Sequence, residues 1–500
     1  MSMSLLVSLH AVEVTWDGEG NDKEWFNPIN WDGDIVPTAL DDVVIPSSFI
    51  VILDDDTAIQ SLRLEGMLTI ENSAVLGVFE ATQDGVEIFR GTLVVDGALN
   101  VALAEGWGID MQLSSLLIIN GKVTINDVGT RGINISTNAE LRVSGTLDIV
   151  GAESHGVVMN FMCSVEIMAS GIVTIEDVLN GIEVSNTFIN HGTVLISQPK
   201  TSFSSTYGIK NSQHGVFENR PSGSIQIIGE FSLGIDNDGE VLNSGTITIE
   251  NVFFRGLISR SFVNIGVLSI HSSSGLGAII LNSFENHVTG VVNISGMSQG
   301  APCLLLNTGI MINSGQVALS NFEGNGFSIL DDGSFLNFGE VLISGTVCQR
   351  IVFNQGAFLN DTDASIIIAV DNISQVIQNT GQMLNRGTID SEGVLLEGFL
   401  MSRGANTFFE NSGTLNIGAL SMTSTILIQD SSSFVNSGNV VITVLFLTST
   451  GIELSDSGSM TNTTNGDFLL DVMGTSSGDP MFIEAGSVFE GLGLFDIRMN

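Results

Sequence analysis

Basic side chains are scarce in this chain of 500 residues: 15 Lys and Arg stand against 55 Asp and Glu, which gives a formal net charge of −40 at pH 7. A surface of this sign repels phosphate groups, and this excludes a nucleic-acid binder. The hydrophobic share is nevertheless 43%, which is too high for a disordered acidic chain. The longest clear hydrophobic run, Val440 to Leu447, has eight residues, whereas a membrane-spanning helix needs about 18. We therefore predict a soluble, folded protein without a membrane span.

Cysteine, proline and tyrosine are also rare, with 3, 7 and 1 residues respectively. Cys163, Cys303 and Cys348 are too few and too widely separated for a disulfide framework or a four-ligand zinc site, so we interpret them as small buried hydrophobic residues. Proline cannot donate a hydrogen bond within a sheet, and its scarcity favours extensive strand pairing. The 28 Phe beside a single Tyr are consistent with a dry interior.

What the chain does have is a repeat. The repeat unit is a five-residue pattern followed by an alternating strand, as in 188–196, 262–270 and 335–343. The pattern consists of an apolar residue, any residue, Asn, any residue and Gly. The turn glycines Gly245, Gly266, Gly290, Gly315 and Gly339 follow one another at intervals of 21, 24, 25 and 24 residues. Weaker copies of the same strand and turn lie upstream of several units. A fixed period of this size indicates a solenoid.

Each period of about 25 residues holds three short strands that are separated by Asn and Gly turns and followed by a variable loop. We therefore predict an all-β fold, a right-handed parallel β-helix with three short strands per rung and about 17 rungs. Alternation points two aliphatic residues of the third strand inward: Val123/Ile125, Leu147/Ile149, Ile225/Ile227, Ile247/Ile249, Leu268/Ile270, Val292/Ile294, Val341/Ile343, Ile366/Ile368 and Leu415/Ile417.

Two further ladders are expected. The residue two positions before the Asn is repeatedly aromatic and should stack between rungs: Phe188, Phe217, Phe262, Phe284, Phe335, Phe358, Phe409 and Phe434. The Asn itself tolerates a left-handed backbone, and its amide can bond the equivalent Asn one rung away.

The first 60 residues have a different composition. They contain Trp16, Trp25 and Trp31 and three of the seven prolines, and we predict that residues 12–60 form an N-terminal cap on repeats that span 61–500. Residues 1–11 are a candidate residual signal segment that lacks a basic start. The run from Gly486 to Asn500 shows no cap, so we expect that the repeats are truncated there.

The segment 25–46, with the pattern W-x-N-P-x-N-W-x-G-x-x-x-P-x-x-x-D-x-V-x-I-P, resembles the N-terminal modules of large secreted bacterial β-helix proteins, especially Bacteroidetes-type surface proteins. The motif covers about 22 residues, and the Asn-Gly repeats extend the likeness along the chain. The resemblance implies an extracellular or cell-surface protein of the adhesin type. It carries no catalytic residues to transfer.

Metal binding has weak candidates. Asp54, Asp55 and Asp56 form the densest acidic group and can offer oxygen ligands to calcium, although no EF-hand or nonapeptide spacing is present. The alternative is a charged edge that discourages aggregation. The histidines show no ligand spacing: His10, His155, His191, His214, His271 and His287. We expect no cofactor.

Parallel β-helices include pectin-cleaving enzymes, so an active site was sought. Ser154-His155-Gly156 only half-matches the G-H-G element that the hydrolases of that kind carry, and no R-x-K element occurs. Close Asp residues on one lateral face beside an Arg would favour such an enzyme. Glycan-binding sites usually present exposed aromatic side chains. Outside the predicted cap, the Trp and Tyr residues of the sequence are Trp107 and Tyr207.

The sequence thus predicts a non-catalytic structural or adhesive β-helix at the bacterial cell surface, with a glycan or a protein as its ligand. The alternatives are a polysaccharide-active, pectin-lyase-like enzyme and a filament subunit that associates end to end.

Overall fold

The computed structural model describes residues 12–200, 205–271, 275–298, 300–345, 348–474 and 479–499. The candidate signal segment 1–11 lies outside the described residues. The chain is a parallel β-solenoid of about 17 turns, and 61% of it is strand, which confirms the predicted fold class. In the described part of the chain, the helical structure is one 3-10 turn, Pro28–Asn30, and no helix is long and apolar enough to cross a membrane. The chain forms two units, Met1–Val241 and Leu242–Asn500.

In the first unit, each turn contributes one strand to each of three parallel sheets. Sheet 1 contains Val12–Thr15, Asp41–Ile45, Ser61–Leu64, Val86–Phe89, Ile109–Gln112, Arg131–Ile135, His155–Met159, Asn180–Val184, Tyr207–Asn211 and Leu233–Asn243, the strand in which the unit ends. Sheet 2 contains Ile50–Leu53, Met67–Ile70, Thr92–Val95, Leu116–Ile119, Glu140–Val143, Ser164–Ile167, Thr187–Asn190 and Val216–Asn219. Sheet 3 contains Thr57–Ile59, Val75–Phe79, Ala98–Ala102, Lys122–Asn126, Thr146–Val150, Ile172–Glu176, Thr193–Ser197 and Ser224–Ile228.

The second unit repeats this scheme. Sheet 1 contains Leu304–Leu306, Asn325–Ile329, Cys348–Asn354, Ile452–Leu454 and Met481–Ile483. Sheet 2 contains Ile310–Asn313, Ser334–Asn337, Ala357–Asn360, Gln382–Asn385, Phe408–Asn411, Ser433–Asn436, Ser459–Asn462 and Val488–Gly491. Sheet 3 contains Thr246–Glu250, Val267–His271, Val291–Ser295, Gln316–Ser320, Glu340–Gly345, Asn439–Leu447, Asp467–Val472 and Leu494–Met499.

Some strands of the second unit run around a corner without a break, which the sequence did not predict. Two continue from sheet 1 into sheet 2, namely Arg255–Asn264 and Leu276–Asn286. Three continue from sheet 3 into sheet 1, namely Ser365–Asn379, Thr388–Ser402 and Thr414–Ile428. At these corners no Asn-x-Gly turn separates the two strands, and the register of the pairing shifts or skips a residue there, as between Ser259 and Ser261.

The predicted ladders fill the interior. Of the nine aliphatic pairs, no member is more than 3% exposed, and the eight phenylalanines are at most 2% exposed. The rings of Phe188 and Phe217 stack with centroids 5.1 Å apart and planes 11° apart, and Phe262 and Phe284 repeat this geometry at 5.1 Å and 10°. Met311 occupies the same buried position between Phe284 and Phe335, so the aromatic ladder is interrupted rather than continuous.

Trp16, Trp25 and Trp31 form a buried cluster near the N-terminus. Trp31 packs edge-on against Trp16 at 4.9 Å and against Trp25 at 4.8 Å between ring centroids, and its Nε1 donates to the carbonyl oxygen of Trp25 over 2.7 Å. Regular pairing starts within the predicted cap, since Asp41–Ile45 pairs with Val12–Thr15 on one side and with Ser61–Leu64 on the other. The boundary at residue 60 stays a prediction.

Candidate functional site on sheet 1

Outward positions of sheet 1 in the first unit carry an unusual set of side chains. In-register parallel pairing stacks equivalent residues of successive turns roughly 4.8 Å apart, so residues distant in sequence form columns. One column is Arg63, Glu87, Asp110, Asn134, Val158, Glu183, Lys210 and Asp236. The neighbouring column contains Arg131, His155 and Asn180. Trp107 and Tyr207 extend it at its two ends: the Arg131 guanidinium lies 6.0 Å from the Trp107 ring centroid, and the backbone N–H of Tyr207 donates to Asn180 Oδ1 over 3.2 Å.

We name this group the sheet-1 polar face. It is defined by Asp84, Glu87, Trp107, Asp110, Arg131, Asn134, Ser154, His155, Asn180, Glu183 and Tyr207. Hydrogen bonds join Asn134 to Asp110 and Arg131, and close contacts join His155 to Ser154 and Tyr207.

Asp110 is the most enclosed carboxylate of the sheet-1 polar face. Its side chain is fully buried, Asn134 Nδ2 donates to its Oδ1 over 2.7 Å, and the amide of Gln112 donates to its other oxygen. Burial raises the pKa of Asp110, and the charge of Asp84 adds to the rise, while the bonds from Asn134 and Gln112 oppose it. A buried carboxylate held by two amides is a rigid hydrogen-bond acceptor.

Glu87 is the register partner of Asp110 in the preceding turn. Burial raises the pKa of Glu87 as well, against the opposing effect of Arg63, whose Nε lies 3.8 Å from Glu87 Oε2. Asp84 accepts a hydrogen bond from the backbone N–H of Trp107 over 2.8 Å, and burial raises its pKa too. Three carboxyl groups with raised pKa values therefore lie on one lateral face beside an arginine.

A groove of about 250 Å³ opens beside Asp84 and Glu87. Its lining includes Asp42, Ser61, Arg63, Asp84 and Glu87. The Ser61 hydroxyl donates to Asp42 Oδ1 over 2.5 Å, which orients that carboxylate at the groove wall. The groove therefore offers several carboxylate hydrogen-bond acceptors and one cationic side chain, that of Arg63.

A second hydrogen-bonded group centres on His155, whose side chain is 15% exposed. Its Nδ1 lies 2.5 Å from Ser154 Oγ, and its Nε2 lies 2.9 Å from Tyr207 Oη. The Tyr207 hydroxyl donates to Glu183 Oε2 over 3.3 Å, and Asn180 Nδ2 lies 3.3 Å from His155 Nε2.

The ionisation of this group follows from its burial. Burial lowers the pKa of His155, against the opposing charge of Glu183. Burial and the nearby Glu183 raise the pKa of Tyr207. Both side chains are therefore neutral near pH 7.

Arg131 links the two groups. Its Nη1 donates to Asn134 Oδ1 over 2.7 Å, and its backbone pairs with His155. At the far end of the face, Lys210 Nζ lies 5.8 Å from the Tyr207 ring centroid. Perturbed pKa values that cluster with aromatic and cationic side chains are typical of functional sites.

The predicted metal candidates lie elsewhere. Asp54, Asp55 and Asp56 are exposed in the turn between Ile50–Leu53 and Thr57–Ile59. Asp56 Oδ1 accepts from the backbone N–H of Val75 over 2.9 Å, and Asp55 Oδ1 accepts from the N–H of Asp56 over 2.8 Å. No group of three or more potential metal ligands occurs among the residues that the structure describes. Calcium binding by these three residues stays a prediction.

Cys163, Cys303 and Cys348 are buried free thiols, as predicted. Burial raises the pKa of Cys348 to about 12, so its thiol is protonated and unreactive at neutral pH.

The columns were missed at the sequence level because no local motif marks them. His155 and Tyr207 are 52 residues apart, and Asp110 and Asn134 are 24 apart. The repeat itself was the available signal, because aligning the turns by their glycines places residues one or two periods apart in one column.

No family model matches the sequence, and neither does any curated protein. Among solved structures, the chain is similar to a TibC-catalyzed hyper-glycosylated fragment of TibA that spans residues 55–350 of that protein. The two are 14% identical, and the match covers 72% of this chain and 97% of that chain, with a TM-score of 0.29. A likeness at that TM-score carries no argument about function.

Proposed function

We propose that the protein is an adhesive β-solenoid of the bacterial cell surface that binds glycans through the sheet-1 polar face. The observation that carries this proposal is that Trp107 and Arg131 lie in adjacent turns of one column, with the guanidinium 6.0 Å from the ring centroid, and that Tyr207, 9% exposed, extends the same column at its other end. Tyr207 is the only tyrosine of the chain, and Trp107 is the only tryptophan outside the N-terminal cluster. The partly exposed Trp107 ring beside the Arg131 guanidinium suits the alternating apolar and hydroxyl surfaces of a sugar.

The charge of the protein narrows the class of glycan. The formal net charge is −40, and Asp84, Glu87 and Asp110 already oppose one another's ionisation. An added carboxylate or sulfate would be repelled at this face. We therefore propose that the ligand is a neutral glycan rather than a uronate polymer.

The test measures binding of the full chain to immobilised neutral oligosaccharides, such as chito-, cello- and xylo-oligosaccharides. Oligogalacturonate serves as the acidic comparison. Trp107→Ala and Arg131→Ala should each weaken binding at least about tenfold, the loss expected for a central contact of about 1.4 kcal/mol or more. Arg142→Ala is the matched control, because Arg142 lies in the same turn on sheet 2 and, like Arg131, donates to a nearby side-chain oxygen, here Glu140 Oε1 over 2.6 Å. Binding of no neutral oligosaccharide, or equal binding by the Arg131 and Arg142 variants, would overturn the proposal.

One observation favours a second function, cleavage of a polysaccharide. Glu87 and Asp110 are register partners whose burial raises their pKa values, beside Arg63. Glycoside hydrolysis uses two carboxyl groups, one of which holds its proton near neutral pH. Release of reducing ends from the same neutral glycans and from pectin, abolished by Glu87→Gln, would establish this function. Binding without release of reducing ends would leave the adhesive function.

The surface location and the Bacteroidetes-type origin are parts of the same proposal, and the N-terminal pattern of residues 25–46 supports them. Protease treatment of intact cells tests the location. A surface protein should be degraded while a cytoplasmic marker survives.

A further inference from the structure

Ser154 and His155 form a contact that neither glycan binding nor cleavage by carboxyl groups requires. Ser154 Oγ lies 2.5 Å from His155 Nδ1. Both side chains are partly exposed, so a small molecule can reach the serine. A serine hydroxyl beside an imidazole is the arrangement by which hydrolases activate a nucleophile.

The contacts around the imidazole favour a proton on Nε2, because Tyr207 Oη at 2.9 Å and Glu183 Oε2 at 3.7 Å can accept it. Asn180 Nδ2, a donor at 3.3 Å, opposes this placement from a longer distance. Glu183 is the charged acceptor for the Tyr207 hydroxyl, at 3.3 Å. With its hydrogen directed to Glu183, Tyr207 Oη accepts from His155 Nε2–H over 2.9 Å. Nδ1 is then unprotonated and faces the Ser154 hydroxyl. Tyr207 and Glu183 thus act as positioning residues that orient the histidine from behind.

Two residues of the preceding turn carry donors of the kind that stabilises negative charge. Thr130 occupies the preceding turn, where its carbonyl accepts from the Ser154 N–H over 2.7 Å, and its Oγ1 is buried without a hydrogen-bond partner. Arg131 is the register partner of His155. A free hydroxyl and a guanidinium are suitable donors for an oxyanion.

We propose that Ser154 and His155 hydrolyse carboxylic esters, with Ser154 as the nucleophile and His155 as the general base. The proposal does not depend on glycan binding: Arg131 and Tyr207 serve both proposals, but the nucleophile Ser154 and the base His155 are not the contacts on which glycan binding rests, and the readout is different.

The reaction balances without a cofactor. Ser154 Oγ bonds to the ester carbonyl carbon while its proton passes to His155 Nδ1 and the carbonyl electron pair moves onto oxygen. The carbonyl then re-forms, the bond to the alcohol oxygen breaks, and the alcohol takes the proton from Nδ1. Water attacks the acyl-serine in the same way, releasing the carboxylic acid and restoring the Ser154 hydroxyl.

The imidazole environment supports its role as a base. The charged groups that affect it are Glu183, which favours protonation, and Arg131 and Lys210, which oppose it. Burial outweighs Glu183, so the imidazole stays neutral and able to accept a proton near pH 7.

The test uses the full chain with p-nitrophenyl acetate and, separately, a fluorophosphonate probe followed by peptide mass spectrometry. Ser154→Ala should lower kcat/KM at least about 100-fold and abolish the adduct, which should map to Ser154 in the unaltered protein. Tyr207→Phe removes the hydroxyl that orients His155, so it should lower kcat with little change in KM and alter the pH profile.

Ser295→Ala is the matched control. His271 Nδ1 lies 2.6 Å from Ser295 Oγ in an exposed pair on sheet 3 of the second unit. The Ser295→Ala variant therefore measures how much ester cleavage comes from an ordinary Ser–His contact at the surface. Equal hydrolysis by the unaltered protein and Ser154→Ala, or the absence of a fluorophosphonate adduct on Ser154, would overturn the proposal. Glycan binding by Ser154→Ala is measured in parallel, so that loss of one activity is distinguished from loss of the other.

Discussion

The amide nitrogen of Asn313 donates to Oδ1 of Asn337 over 2.8 Å at the same corner of two successive turns. The pattern recurs along the second unit with distances of 2.7 to 2.8 Å, through Asn243, Asn264, Asn286, Asn313, Asn337, Asn360, Asn385, Asn411, Asn436 and Asn462. Each amide also donates to a backbone carbonyl at the start of the third strand, as Asn313 does to Glu340 O over 3.2 Å. The ladder thus satisfies buried polar groups that the tight corner would otherwise leave unpaired.

Replacing Asn337 with Ala should destabilise the second unit by about 2–4 kcal/mol, because it leaves the Asn313 donor and the Asn360 acceptor unpaired in a dry corner. Both bonds are 2.8 Å long, and Asn337 is fully buried. Chemical denaturation followed by circular dichroism measures the change. Asn416→Ala on the outward side of sheet 3 is the control and should change the free energy of unfolding by less than about 0.5 kcal/mol. Similar values for the two variants would show that the ladder contributes little.

Gly339 lies two residues after Asn337 in the corner, where successive turns approach closely. A Cβ at this position would lie 2.2 Å from the carbonyl oxygen of Gly315. The atoms that it would meet belong to the backbone of Ser314 and Gly315, which cannot move aside as a flexible side chain could. Gly339→Ala should therefore destabilise the unit by more than about 2 kcal/mol. In Gly418→Ala the nearest atom is Ser391 O at 3.8 Å, so thermal unfolding of that variant should match the unaltered protein. A stable Gly339→Ala would contradict the close approach.

The Phe ladder gives a prediction about packing. Phe262 is 1% exposed and stacks on Phe284 at 5.1 Å, whereas Phe253 is 49% exposed. Phe262→Ala should cost about 3–5 kcal/mol through lost burial and the cavity that remains. Phe253→Ala removes the same atoms from an exposed site and should cost less than about 1 kcal/mol. The comparison of the two denaturation midpoints checks this, and equal midpoints would argue against a packed ladder.

The sequence predicted the solenoid, its three strands per turn, the aliphatic pairs and the stacking of Phe and Asn, because each of these depends on a side chain repeated at one period. It did not predict the continuous strand Ser365–Asn379, because the change of sheet within it is not marked by an Asn-x-Gly turn. The sheet-1 polar face was missed for a different reason. Its residues are all different, so Glu87, Asp110 and His155 show no repeated letter, and only the register of the pairing brings them together.

The raised pKa of Asp110 gives a pH-dependent prediction. A carboxyl group whose folded-state pKa lies above its unfolded value contributes stability that is present below the unfolded pKa and is lost as the pH rises through the folded pKa. Asp110 therefore destabilises the first unit at neutral pH, where burial disfavours its charged form. Asp110→Asn keeps the shape and removes the charge. It should raise the free energy of unfolding at pH 7, and the gain should shrink as the pH is lowered into the range where Asp110 is protonated.

Urea denaturation at a series of pH values between about 3 and 8 measures this difference. Asp390→Asn, at a partly exposed outward position of sheet 3 in the second unit, is the control for removing one negative charge from a protein with a formal net charge of −40. General relief of charge repulsion would stabilise both variants alike, whereas relief of burial would stabilise Asp110→Asn more. If Asp110→Asn is less stable than the unaltered protein at pH 7, the hydrogen bonds from Asn134 and Gln112 outweigh the burial of the charge. In that case the carboxylate is held ionised, and the second candidate function would have to rest on Glu87 as the group that keeps its proton.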